Sequence, residues 1–140
     1  MATTTFDTAA RVRPERRASR AVLAFAATGF LALLATQVYF AGLMLFHDGD
    51  FRSAHEGLGW TLGYWPFVTI GAAAFARPGR AFWLSLTALF VLVHIQPFLA
   101  IPTTDSALGP LRALHPLNAM AIALLAWHQV RASWRLARGQ

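Results

Sequence analysis

Four long apolar runs, at residues 21–46, 53–76, 81–100 and 114–130, leave this chain few ways to fold. Each is near the ~20 residues that carry a helix across the hydrocarbon core of a bilayer. Inside a bilayer the backbone must bond within its own segment, which makes such runs helical. Only 13% of the 140 residues are charged, against about 25% in a soluble domain. The expectation is an all-α, integral membrane four-helix bundle running up and down, with residues 21–134 as its single domain. Residues 1–20 are expected to be a disordered basic tail, since Thr3, Thr4, Thr5 and Pro14 oppose early order, and residues 135–140 a second tail. The first run exceeds the ~7–15-residue apolar core of a signal peptide, so it reads as a retained helix.

The basic residues number 12, all arginine. Arg11, Arg13, Arg16, Arg17 and Arg20 precede the first run, Arg77 and Arg80 flank the Pro78-Gly79 turn, and Arg131, Arg135 and Arg138 follow the fourth run. In an up-and-down bundle these segments share one side, which the positive-inside rule makes cytoplasmic. Both termini are therefore expected in the cytoplasm, with the bundle in a bacterial inner membrane, and Trp83, Trp127 and Trp134 near its inner boundary. Topology thus accounts for the net charge of +6 without nucleic acid. The chain has no cysteine, which excludes disulfides, iron–sulfur clusters, thiolate metal sites and covalently attached haem.

Arg52 and Arg112 alone fall on the outer side, and each stands three residues before a histidine, His55 and His115. Gln37 lies late in the first run and Gln96 late in the third, so each half reads Gln, loop, Arg-x-x-His, apolar helix. This pattern predicts two parallel hairpin repeats about an axis along the membrane normal. Runs two and four would be diagonal partners in the bundle, with both imidazoles level near the outer surface. There they could take the two axial positions of one haem b, with Arg52 and Arg112 pairing its propionates in bidentate fashion. The plainer alternative is two interfacial histidines at helix starts.

Ser53 and Glu56 have the spacing of a capping box, and Pro116 suits a first helical turn in the other half. Gly59 and Gly63 form a small-xxx-small pair, fit for close helix packing or for a flat cofactor. Pro66 predicts a kink in the second span. His94 could compete as a ligand, support the site, bind a quinone headgroup, or simply bond to another span. Gln37, Gln96, Tyr39 and Asn118 either orient the histidine rings or tie helices together. His128 lies too deep to join the outer pair and reads as interfacial. His47 with Asp48 and Asp50 is a weak loop signal for a divalent metal.

The stretch TQVYFAGLMLF, followed by a histidine opening the next span, resembles one half of haem A synthase, as does a Gln-containing third span followed by LHPLNAMAI. The resemblance covers roughly residues 30–130. It implies a four-helix haem-binding body with His55 and His115 at ligand positions, and Gln37, Ala41 and Gly42 on the matching odd helix. Arg52 stands where that family carries an acidic residue, and the chain corresponds to one of the family's two halves. It also resembles small four-span bacterial proteins with Gln, His and a His-Pro-x-Asn signature.

Two functions follow as expectations. One is a b-type haem protein with two histidine ligands, serving electron transfer or haem handling and not an enzyme by itself. The other is a cofactor-free accessory subunit in which Arg52 and Arg112 pair with Asp48, Asp50 or Asp105. The expected partners are lipid, haem and a larger membrane complex; a homodimer would rebuild an eight-helix body.

Overall fold

A computed structural model of the chain describes residues 14–47, 49–100 and 109–140. These residues form four α-helices, α1 (Pro14–Phe46), α2 (Arg52–Ala76), α3 (Arg80–Ile95) and α4 (Leu114–Ala137), and no strand. Short 3-10 turns at Phe98–Ala100 and Gly109–Ala113 lie between α3 and α4. The segments Arg16–Phe46 and Arg80–Ala100 are long and apolar enough to cross a membrane.

Three boundaries differ from expectation. The first helix starts at Pro14, so Pro14–Arg20 belongs to it and not to a disordered tail. Proline is favoured at a first helical position, and arginine is a good helix former. Residues 1–13 lie outside the described residues. The third α-helix stops at Ile95 with Gln96 as its C-cap, still in right-handed helical geometry; Pro97 has no N–H to carry the hydrogen-bond ladder further. The fourth runs on to Ala137, which leaves Trp127 and His128 well inside it instead of at its end. The 76–80 turn forms as expected: Arg77 adopts a left-handed conformation (φ 52°), and its N–H closes on the Ala73 carbonyl at 2.9 Å.

The bundle is a ring. Helix α1 packs on α2 and α4, and α3 packs on the same two, while the diagonals α1–α3 and α2–α4 make no close backbone approach among the described residues. The buried positions repeat around it. Adding 59 to Leu23, Ala27, Phe30 and Leu34 of α1 gives Phe82, Leu86, Leu89 and Val93, the buried residues of α3. Adding 60 to Leu62, Pro66, Thr69 and Ala73 of α2 gives Ile122, Ala126, Gln129 and Ser133, the buried residues of α4. The same offsets relate Gln37 to Gln96 and His55 to His115. One helical register therefore serves both hairpins.

Two fasteners hold the middle of α1. Trp65 donates its indole N–H to the Ala26 carbonyl at 2.8 Å, and its ring lies so close to Gly29 that a Cβ there would approach it to 2.8 Å. From α4, Trp134 donates to Thr28 Oγ1 at 3.1 Å and meets Phe25 edge-on. Outside the core the surface is greasy: Phe25, Trp60, Tyr64, Phe75, Leu84, Met120 and Leu124 are all exposed.

Candidate functional site

The N-terminal ends of α2 and α4 are set by their entries. Helix α2 begins at Arg52, whose backbone N–H bonds to Asp50 Oδ1 at 3.1 Å. No side-chain cap comes from Ser53. The expected capping box is therefore absent: the helix starts one residue before Ser53, which places that hydroxyl inside the first turn. Glu56 instead approaches Arg52 at 3.8 Å, an exposed ion pair. Helix α4 opens at Leu114 with Pro116 in its first turn, where a missing N–H costs nothing.

Just inside these ends the repeat becomes chemistry. Gln37 Nε2 donates to the His55 carbonyl at 2.9 Å, and His55 Nδ1 donates back to the Gln37 carbonyl at 3.3 Å. Gln96 Nε2 donates to the His115 carbonyl at 3.0 Å, and His115 Nδ1 donates back to the Gln96 carbonyl at 3.1 Å. A carbonyl can only accept, so each Nδ1 carries the proton. In the neutral ring Nε2 is then the lone-pair nitrogen, the one that can bind a metal.

The two copies differ in how the amide is finished. Asn118 Nδ2 donates to the Leu92 carbonyl at 2.9 Å and also reaches Gln96 Oε1. In the first copy Leu58 stands at the position equivalent to Asn118, and Gln37 Oε1 is buried with no hydrogen-bond partner. Gly59 sits against this amide: a Cβ there would lie 3.4 Å from Gln37 Nε2. Gly63 has open space where its Cβ would be, so the expected glycine pair contributes one close contact, not two.

The remaining candidates scatter. Arg52 is exposed and turned to Glu56. Arg112 lies in the 3-10 turn before α4, so it does not share an α-helical face with His115 as Arg52 does with His55. His94 Nδ1 bonds within its own helix to the Phe90 carbonyl at 2.8 Å, not to another span, and its ring stacks on Phe90 and meets Phe67 edge-on. Tyr39 is exposed, beside Phe40. His47 is exposed, with its ring edge-on to Phe51, and His128 is exposed on α4. Asp48 and Asp105 lie outside the described residues. Among the described residues no three His, Cys, Asp or Glu side chains gather as a metal cluster.

Sequence reasoning missed a second polar layer, deeper in the bundle than the Gln–His pairs. Gln129 is buried on α4 and donates to Ser85 Oγ at 2.7 Å, with buried Thr69 and Ser133 in the same register. The offset that pairs the histidines also pairs Thr69 with Gln129, and that signal was present in the chain.

Residues 37–104 match a family model described as a family of unknown function, DUF6220. No curated protein matches significantly, and no solved structure does.

Proposed function

We propose that the chain is a four-span membrane protein that holds one haem b between His55 and His115 at the outer end of the bundle, for electron transfer or haem handling. The observation that carries this reading is the reciprocal Gln–His bonding, which occupies both Nδ1 atoms and frees both Nε2 atoms. A carbonyl on the far nitrogen is the usual outer partner of a metal-ligating histidine, fixing its tautomer and raising its basicity. The diagonal placement of α2 and α4, with no close backbone approach, supports room between the rings. Haem when bound supplies a one-electron couple. Gln37 and Gln96 would orient the rings, and Arg52 and Arg112 stand at the same helix starts as the histidines, where propionates would lie.

The exposed belt of large apolar side chains supports lipid contact. We place both termini in the cytoplasm of a bacterial inner membrane on the arginine distribution. Reporter fusions at the C-terminus and in the 47–51 loop should report opposite sides. The test of the haem is a reduced-minus-oxidised spectrum of protein purified from haem-replete cells. A sharp α band is expected, lost in His55→Ala and in His115→Ala and retained in His128→Ala. A colourless wild-type protein overturns the reading. A second reading then stands, an accessory subunit without cofactor, favoured by the fact that each Gln–His pair already braces its own hairpin.

A further inference from the structure

We propose that His55 and not His115 is the exchangeable ring, so that a small neutral diatomic ligand enters the site on the His55 side. The inference rests on the haem reading above and concerns which half of the layer can let go. Both rings use the same bonds to a glutamine on the neighbouring helix. The His115 ring hangs on a finished scaffold: Asn118 bridges the Leu92 carbonyl and Gln96 Oε1, so α3 and α4 are clasped at two points beside the ring. The His55 ring hangs on an unfinished one. Leu58 offers no donor, and Gln37 Oε1 is left buried and unsatisfied. A buried acceptor without a partner favours any movement that brings it to a donor. Its Nδ1 contact is also the longer of the two, 3.3 Å against 3.1 Å.

The helix that carries His55 is weaker at the same place. Gly57, Gly59 and Gly63 of α2 stand where α4 has Leu117, Ala119 and Ala123. Glycine is among the poorest helix formers, leucine and alanine the best. Opening the first turns of α2 is therefore easier than opening those of α4. In a bis-histidine haem, exchange would trade the bond between His55 Nε2 and iron for a bond to the incoming ligand. No electron is transferred, and the imidazole leaves neutral with its lone pair. His115 remains as the fixed ligand.

The experiment uses the full chain, haem-loaded in lipid nanodiscs, reduced with dithionite and titrated with carbon monoxide while the difference spectrum is recorded. Wild type should bind one carbon monoxide per haem. Leu58→Asn supplies the missing donor and should raise the half-saturating concentration ~10-fold, the worth of about one hydrogen bond. Asn118→Leu puts the second half in the state of the first and should lower it. A reduced spectrum that carbon monoxide never perturbs, or equal titrations for wild type and Leu58→Asn with haem still bound, overturns the inference and leaves the haem reading intact. Protein that never holds haem overturns both.

Discussion

In the first hairpin Trp65 lays its indole over Ala26 and Gly29, whereas in the second the corresponding faces meet through Gln129 and Ser85. In the first an amide oxygen is stranded at Gln37, and in the second Asn118 satisfies its counterpart. The backbone register is common to both, and so are the Gln–His bonds. The difference teaches that helical register fixes which positions face inward, while each seam is closed by whatever side chains fill those positions. Identical bonds at Gln37–His55 and Gln96–His115, amid fasteners that otherwise differ, are the best reason to give those four residues one shared task.

The comparison can be broken hardest at Gly29. Gly29→Val pushes side-chain atoms into the Trp65 ring and should cost ~3 kcal/mol, as overpacking does; Ala88→Val, its exposed counterpart on α3, should change little. Thermal unfolding in detergent reads both, and equal losses would mean the α1–α2 seam is no tighter than its mate. Next comes Asn118→Leu, which strands Gln96 Oε1 and should lower stability by about 2 kcal/mol. The reverse change, Leu58→Asn, should raise it by roughly 1 kcal/mol in haem-free protein; a loss there would show that the Gln37 amide has no room for a donor. Arg52→Ala removes only an exposed ion pair and should fall within about 0.5 kcal/mol. That small effect on stability separates it from any larger effect on haem retention.

Much of the fold was legible because apolar runs and arginine clusters act over whole segments. Helix existence, the turn at 76–80 and the pairing of Gln37 with His55 and Gln96 with His115 could all be read from spacing. The ends could not. Arg16, Arg17 and Arg20 look like a solvated tail by charge, yet they continue α1, and Arg20 reaches the Leu136 carbonyl at 3.5 Å. The capping box at Ser53 and Glu56 failed because Asp50 begins the helix sooner. A bond from His94 to another span, one of the readings its position left open, gives way to a bond within its own helix.

The sequence by itself determined four helices, two repeats and the depth at which the polar residues of each repeat recur, because those follow from a fixed rise per residue along one helix. Only the tertiary structure decided which ring nitrogen holds the proton, that Asn118 completes one amide and Leu58 leaves the other bare, and that Trp65 needs Gly29. Those outcomes depend on hydrogen-bond distances between separate helices, and a shift of an ångström or a rotated amide, invisible to any pattern in the chain, reverses them.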